Sequence, residues 1–154
     1  MDGVAMRVPG RVAVISGGSR GIGAAAVRMF VGAGAKVVFN YQRRRDAADA
    51  LVKECGADNC HAVQADLSTV ESAEGLIDAA VERFGSCDIV VANHGIWPPG
   101  DVPVDQMTPE QWRRGVAINL DSVFGLVKYG VAQMKKQGRG GNVVLVSSTA
   151  GQRG

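Results

Sequence analysis

Residues Ser16–Gly23 read SGGSRGIG, with glycines at positions 17, 18, 21 and 23. They follow an apolar run, Arg11–Ser16 (RVAVIS), that is typical of a β-strand. An alanine-rich segment comes next and predicts a helix that ends at about Gly32. A strand, a glycine-rich turn and a helix in this order are typical of units that bind a pyrophosphate. The stretch therefore predicts a phosphate-binding turn at the start of the first helix.

Each of the three glycines in the pattern GxxxGxG is expected to be required for a different structural reason. Gly17 permits a sharp turn, and Gly21 lets backbone N–H groups approach phosphate oxygens without an intervening Cβ. Gly23 permits close packing of the helix on the strand, and the pyrophosphate then lies at the positive end of the helix dipole. A tight turn that binds no ligand is the alternative, because a bare glycine pattern is weak evidence in a chain with 21 glycines.

Short Val/Ile-rich runs alternate with longer helical segments along the whole chain. This alternation predicts an α/β fold with a doubly wound, Rossmann-like parallel sheet of strand order 3-2-1-4-5, in a single dinucleotide-binding domain over residues 1–154. The third and fourth helices are expected on one face of the sheet, and the first and second on the other. The strands are expected at Arg11–Ser16, Lys36–Tyr41, His61–Ala65, Asp88–Ala92 and Asn142–Ser147, and the helices up to about Gly32, over about 46–54, over 70–84, and over 109–136 after a Thr108 cap.

The composition excludes several classes of function. A net charge of +2 gives no basis for attraction to nucleic acid or to a membrane surface. No apolar run approaches the ~18 to 20 residues of a membrane span. The three cysteines have no metal-ligand spacing and are interpreted as reduced thiols, with Cys87 filling the core. We therefore expect a cytoplasmic protein with neither a nucleic-acid nor a membrane partner.

Five motifs in order resemble those of the short-chain dehydrogenase/reductase family. The glycine turn is similar to the family's TGxxxGxG, with serine in the place of threonine. The sequences GGSRGIG, VVFNYQR and VVLVSSTAG are similar to those of 3-oxoacyl-carrier-protein reductase-like members. The resemblance covers essentially the whole chain and implies an N-terminal part of a longer family domain, truncated after the fifth strand. The other motifs are Asp66-Leu67, Ala92-Asn93-His94-Gly95 (for NNAG), Asn119, and Ser147-Ser148.

The resemblance implies a bound nicotinamide dinucleotide and identifies its contacts. A fold that binds S-adenosylmethionine is the alternative, and the Asn93 and Ser148 motifs weaken it. His94 departs from the family pattern and is interpreted as a partly buried, hydrogen-bonded histidine near the site. The expected cofactor-binding residues are Gly17, Ser19, Arg20, Gly21, Ile22, Gly23, Asn40, Tyr41, Arg43, Asp66, Leu67, Asn93 and Gly95.

The end of the second strand favours NADP(H) over NAD(H). NAD sites carry a carboxylate there that would repel a 2′-phosphate. This chain has Asn40-Tyr41-Gln42 instead, and the first acid after them is Asp46. Arg20 and Arg43 stand where guanidinium groups can bind phosphate oxygens. Arg44 and Arg45 are interpreted as the solvated start of a helix.

The resemblance implies hydride transfer between the cofactor and a carbonyl or alcohol carbon, with a small-molecule or acyl-thioester substrate. Ser148 matches the family's substrate-binding serine, with Ser147 as the near alternative, and Asn119 matches its helix asparagine. The family's tyrosine has a lysine four residues later, but Tyr41 and Tyr129 are followed there by Arg45 and Gln133. The chain alone is therefore expected to be inactive, and the full-length form to be a homo-oligomer. A nucleotide-binding or interaction module without turnover is the second hypothesis.

Overall fold

A five-stranded parallel sheet forms the centre of the molecule in this computed structural model, which describes residues 7–97, 100 and 102–153. The strand order is β3-β2-β1-β4-β5, and every pair is parallel, so the predicted fold class is confirmed. The strands are β1 Val12–Ile15, β2 Lys36–Tyr41, β3 Cys60–Gln64, β4 Ile89–Ala92 and β5 Asn142–Leu145.

The first and last strands are shorter than expected. The side chain of Ser16 turns back toward β4 instead of extending β1, and its hydroxyl accepts hydrogen bonds from two backbone N–H groups that follow Ala92. β5 ends at Leu145 because its partner β4 ends at Ala92. One further bond, from Val146 N–H to the Ala92 carbonyl at 2.9 Å, closes the ladder.

The helices cover both faces of the sheet as predicted. On one face, Leu76 and Leu126 pack with Val14 and Val90 in a buried core. On the other face, Val27 and the second helix pack against the opposite side chains of β1 and β2. The helices are α1 Gly21–Gly32, α2 Arg45–Cys55, α3 Val70–Phe84, α4 Pro109–Val116, α5 Ser122–Gln137 and α6 Ala150–Arg153.

The expected single helix over 109–136 is interrupted by a π turn, Ala117–Asp121. The Ser122 hydroxyl donates to the Ile118 carbonyl at 2.6 Å, the acceptor that an α-helix would reserve for the Ser122 N–H. That N–H bonds the Ala117 carbonyl instead, one residue further back. The extra residue rotates the following helix relative to α4, and such turns occur often at functional sites.

The sheet's far edge is apolar and uncovered. Within the described part of the chain β5 pairs only with β4, and its residues are exposed. Val144 and Leu145 are 45% and 59% exposed. Among the described residues, no helix is long and apolar enough to cross a bilayer.

A buried carboxylate joins the amino ends of β1 and β4. Asp88 is 1% exposed and accepts hydrogen bonds from the Val12 N–H (2.9 Å) and the Ser86 hydroxyl (3.0 Å). Arg139 pairs with it at 2.8 Å and Arg11 at 3.3 Å. This cluster lies at the opposite end of the strands from the glycine-rich turn. Its hydrogen bonds join the start of β1 to the start of β4 and so stabilise the sheet that carries the turn.

Candidate functional site

A cavity of about 670 Å³ opens at the carboxyl ends of β1, β2 and β4. It lies where the strand order reverses direction, the usual ligand position in open α/β sheets. All thirteen residues expected at the cofactor line this one cavity: Gly17, Ser19, Arg20, Gly21, Ile22, Gly23, Asn40, Tyr41, Arg43, Asp66, Leu67, Asn93 and Gly95. The structure therefore brings together residues from four separate segments of the chain.

The glycine turn has the close contacts that its sequence predicted. Gly17 (φ +66°) and Gly21 (φ +52°) have left-handed backbones, which side chains rarely adopt. A Cβ on Gly23 would overlap the carbonyl oxygen of Gly17, so the helix can approach the turn only with glycine there. Gly18, which the motif analysis gave no role, has a similar constraint, since its Cβ would overlap the Phe39 ring.

Two asparagines fix the shape of the turn from either side. Asn40 Oδ1 accepts from the Gly17 N–H at 2.8 Å, and its Nδ2 donates to the Ala65 carbonyl at 3.0 Å. Asn93 Nδ2 donates to the Ser16 carbonyl at 3.0 Å. Both ends of the Asn40 amide are thus engaged within the chain, so this residue shapes the site through the backbone.

The start of α1 lacks a side-chain cap. Arg20, at the cap position, has an extended backbone and makes no capping hydrogen bond, and the first turn holds no acid. By contrast, α3 and α4 begin with capping boxes formed by Thr69 with Ser72 and by Thr108 with Gln111. The first N–H groups of α1 therefore have no side-chain acceptor, and they lie at the positive end of the helix dipole, where an anion is stabilised.

The arginines around the cavity fall into two groups. Within the described residues, neither Arg20 nor Arg43 forms an ion pair, and both line the cavity. Arg44 pairs instead with Asp46 at 2.8 Å, and its hydrogen bond lowers the pKa of Asp46 to about 2. Arg45 donates to the Tyr41 hydroxyl at 3.2 Å. Among the described cavity-lining arginines, Arg20, Arg43 and Arg114 form no ion pair, and the first two are those that the sequence assigned to phosphate.

The cavity lining also includes residues that the motif analysis missed. Gln42 Nε2 donates a hydrogen bond to Asp66 Oδ2 at 2.7 Å. Asp66 is the only acidic residue among the lining residues that the structure describes, and this bond orients its carboxylate. Arg114 and Ile118 also line the cavity. Their spacing of four residues places both on one face of the helix that carries Asn119, and this spacing is visible in the sequence.

His94 is hydrogen-bonded through both ring nitrogens, as expected. Its Nδ1 lies 2.7 Å from Ser16 Oγ, and its Nε2 lies 2.7 Å from Ser122 Oγ. Burial lowers the pKa of His94 below its ordinary value, and the Ile118 carbonyl opposes that shift only partly. The side chain is half-buried beside the cavity. Ser122 has no counterpart in the motif analysis.

The two residues expected in catalysis do not line the cavity. Asn119 binds the backbone of Ile96 at both ends of its amide, with Oδ1 accepting at 2.8 Å and Nδ2 donating at 3.0 Å. Ser148 follows β5, is exposed, and accepts from the Ala150 N–H at 3.2 Å. Asn119 thereby fixes the backbone after Gly95, while the roles of both residues in catalysis stay predictions.

Comparison with known proteins identifies enzymes that are similar to this chain over most of its length. The chain is 37% identical over 146 residues to the NADP-dependent (R)-specific alcohol dehydrogenase of Lentilactobacillus kefiri, covering 94% of this chain and 57% of that protein. It is 35% identical over 146 residues to the 3-oxoacyl-[acyl-carrier-protein] reductase of Synechocystis sp., covering 94% and 58%. The chain thus spans a little over half the length of these relatives.

A solved structure gives the same result. A short-chain dehydrogenase from Burkholderia cenocepacia in complex with NADP matches with a TM-score of 0.85 and 28% identity, over 96% of this chain and 59% of that one. The model of the short chain dehydrogenase family matches residues 11–154. With this match over nearly all of its length, the chain belongs to the short-chain dehydrogenase family.

Proposed function

We propose that the chain binds NADP(H) and forms the cofactor-binding part of an oxidoreductase acting on a carbonyl or alcohol carbon. The observation that carries the proposal is the convergence of the thirteen expected residues on one cavity at the carboxyl ends of the strands. The cofactors named for the Burkholderia structure and for the Lentilactobacillus enzyme support the same choice. In this proposal the described residues act as one dinucleotide-binding domain.

The space at the turn fits a pyrophosphate. A Cβ built on Gly21 would meet nothing within 4 Å, so the cavity is open directly above the first N–H groups of α1. These N–H groups have no side-chain cap, and phosphate oxygens would supply the missing acceptors. Asn40 and Asn93 hold the turn in this shape before any ligand binds.

The charges at the cavity favour the 2′-phosphate of NADP(H). Arg20 and Arg43 have no acid partner among the described residues and can donate to phosphate oxygens. Asp66 accepts from Gln42 across the cavity wall, and Asn40-Tyr41-Gln42 supply no carboxylate. NAD(H) would leave both guanidinium groups without a partner, so it should bind more weakly.

The proposed reaction is hydride transfer by the nicotinamide cofactor, and the residues of the chain position the cofactor and the substrate. When bound, the reduced cofactor supplies a hydride to a carbonyl carbon, and the oxidised form accepts one from an alcohol carbon. Asn119 would keep the Gly95–Ile96 backbone in place at the cofactor, as its two hydrogen bonds to Ile96 indicate. The Ser148 hydroxyl would donate a hydrogen bond to the substrate oxygen. The substrate class we propose is a 3-oxoacyl thioester or a similar ketone, in line with the Synechocystis relative.

Residues 1–154 contain no tyrosine–lysine pair of the kind that donates the proton in the family. Neither tyrosine is followed by lysine four positions later, and a free tyrosine with pKa ~10 needs a nearby cation to exchange protons at neutral pH. We therefore infer that these 154 residues alone bind the cofactor without turnover. The second candidate is a nucleotide-binding or interaction module that catalyses no reaction, and a turnover assay separates it from the first.

The outer face of α4 and α5 is proposed to join subunits of the full-length form. Trp112 of α4, Leu120 of the π turn and Phe124 of α5 are 65%, 63% and 59% exposed. Large apolar side chains exposed together are typical of protein interfaces.

Calorimetric titration with NADP⁺ and with NAD⁺ tests the proposal. We expect saturable binding of one NADP⁺ per chain, with NAD⁺ much weaker, and no oxidation of NADPH in the presence of a β-ketoacyl thioester. Absence of binding by either dinucleotide to folded protein would refute the cofactor. Turnover of the thioester by these residues would refute the inferred inactivity and exclude the non-catalytic module.

A further inference from the structure

One side chain connects the two backbone turns of the site. His94 reaches Ser16, at the start of the glycine turn, through Nδ1 and reaches Ser122, at the end of the π turn, through Nε2, both at 2.7 Å. Ser122 in turn donates to the Ile118 carbonyl at 2.6 Å. The connection therefore runs from β1 to the helix turn that carries Asn119.

The hydrogen-bond partners define which nitrogen carries the proton. Because the Ser122 hydroxyl hydrogen points to the Ile118 carbonyl, the Ser122 oxygen accepts from Nε2–H. Ser16 Oγ already accepts from the N–H groups of Asn93 (2.9 Å) and His94 (3.2 Å). Its own hydrogen has two acceptors within reach, Nδ1 of His94 at 2.7 Å and the Val91 carbonyl at 3.4 Å, and the much shorter contact directs it to Nδ1. The neutral imidazole with Nε2–H satisfies every partner. A proton on Nδ1 would face an oxygen whose two lone pairs are occupied.

The charged surroundings do not favour a protonated imidazole. Burial lowers the pKa of His94, and the opposing cause is a backbone carbonyl, not an acid. Asp121 of the π turn is exposed. The charged side chains that line the same cavity are Arg20, Arg43, Arg44, Arg114 and Asp66. Four of these five are cations, which disfavour a further positive charge.

We propose that His94 is a positioning residue whose neutral Nε2–H form joins the glycine turn to the π turn and holds both in the geometry that binds the dinucleotide. His94 is itself among the lining residues, and in this proposal it acts through its bonds to Ser16 and Ser122 and the backbone that they fix. Protonation breaks the Nδ1 bond and loosens the glycine turn, so cofactor affinity falls in acid. The affinity part of this proposal rests on the proposed function, whereas the tautomer does not.

The first experiment examines the imidazole itself. The chain has two histidines, His61 and His94, so ¹⁵N spectra of histidine-labelled protein contain two ring systems, and His94→Gln assigns them. At pH 6.5, where an unperturbed imidazole is half protonated, we expect His94 to be neutral with its proton on Nε2. An Nδ1–H tautomer or an imidazolium at that pH overturns the proposal, whether or not the protein binds a dinucleotide.

The second experiment measures NADP⁺ affinity by calorimetry between pH 7.5 and 5.5. His94→Ala should bind about tenfold more weakly than the wild type at pH 7.5, and Ser122→Ala should follow in the same direction. His61→Ala is the matched control, since His61 lies in β3 and does not line the cavity. Wild-type affinity should fall further than that of His94→Ala as the pH drops. The 2′-phosphate, with pKa ~6, titrates equally in both titrations and cancels.

The outcomes separate the two proposals. If the wild type binds NADP⁺ but His94→Ala matches it in affinity and in pH dependence, His94 does not position the site and the proposed function still stands. If the wild type does not bind NADP⁺, the proposed function fails and the ¹⁵N spectra still decide the tautomer. If His94→Ala does not fold, the same comparison is made with Ser122→Ala, where unchanged affinity and pH dependence overturn the proposal.

Discussion

Gly23 lies so close to Gly17 that a Cβ on Gly23 would overlap the Gly17 carbonyl oxygen and stand 2.8 Å from Asn93 Nδ2. The first turn of α1 and the first bend of the glycine turn are thus in direct contact. Any side chain at Gly23 must move one of them, and the N–H groups of α1 would move with it. The motif's third glycine therefore couples helix packing to the shape of the anion site.

Replacing Gly23 with alanine should abolish NADP⁺ binding and destabilise the fold by about 1–3 kcal/mol, because the added methyl group overpacks the contact. Calorimetry and urea unfolding measure the two effects. Gly32→Ala is the matched control in the same helix, where a Cβ meets nothing within 4 Å. It should leave binding unchanged and stabilise slightly, through helix propensity. Similar losses in both variants would show that the Gly17 contact is not the cause.

Replacing Arg20 and Arg43 together with alanine should weaken NADP⁺ far more than NAD⁺. Each lost hydrogen bond between a guanidinium and the 2′-phosphate is worth about 1.5–3 kcal/mol, while NAD⁺ has no such group. Arg44→Ala is the control, because this neighbour is already paired with Asp46 at 2.8 Å. Titrations of each variant with both dinucleotides give the comparison. Equal losses for NADP⁺ and NAD⁺ would contradict a 2′-phosphate contact.

The sequence predicted what depends on local pattern and chain order. The glycine spacing after an apolar run located the turn, and alternating strands and helices gave the parallel order 3-2-1-4-5. The carboxyl ends of those strands then had to meet, which is why residues as distant as Gly17 and Gly95 line one cavity. The assignment of Arg43 to the 2′-phosphate stays a prediction, since Arg44 lines the same cavity.

What the sequence did not predict depends on contacts between distant residues. The π turn requires the Ser122 hydroxyl to compete for the Ile118 carbonyl, and the helical pattern of 109–136 contains no sign of that choice. The bonds of His94 to Ser16 and Ser122 span 78 and 28 residues. Arg114 was missed for a different reason, since it belongs to no motif, although its spacing from Ile118 was visible.

Asp88→Asn should destabilise the fold by about 2–3 kcal/mol, since the buried carboxylate accepts from Val12 and Ser86 and pairs with Arg139. Urea unfolding at pH 7 measures the loss. Asp78→Asn is the control, because Asp78 is exposed on α3 and should change stability by less than about 0.5 kcal/mol. Similar losses in both variants would show that the cluster contributes nothing specific.

The contribution of Asp88 should also depend on pH in a defined direction. Burial raises the pKa of its carboxyl, but hydrogen bonds from the Val12 N–H, Ser86 and Arg139 outweigh burial and hold this pKa below its ordinary value of 3.8. The stabilisation is therefore complete above about pH 4 and is lost as the pH falls through the lower value in the folded state. Acid unfolding of the wild type and of Asp88→Asn should converge at low pH. A constant difference in stability down to pH 2 would contradict this.

The exposed strand β5 should make these 154 residues self-associate. Val144 and Leu145 are exposed at a sheet edge that has no further strand among the described residues, and such edges pair readily with other chains. The wild type should sediment as larger species as the protein concentration rises. Leu145→Lys places a charge on that edge, so the variant should stay more monomeric than the wild type at the same concentration. Val104→Lys adds the same charge at an 87% exposed position outside any strand or helix, and should change little. If both variants shift sedimentation equally, net charge is responsible, and if neither does, the association runs through the face of α4 and α5.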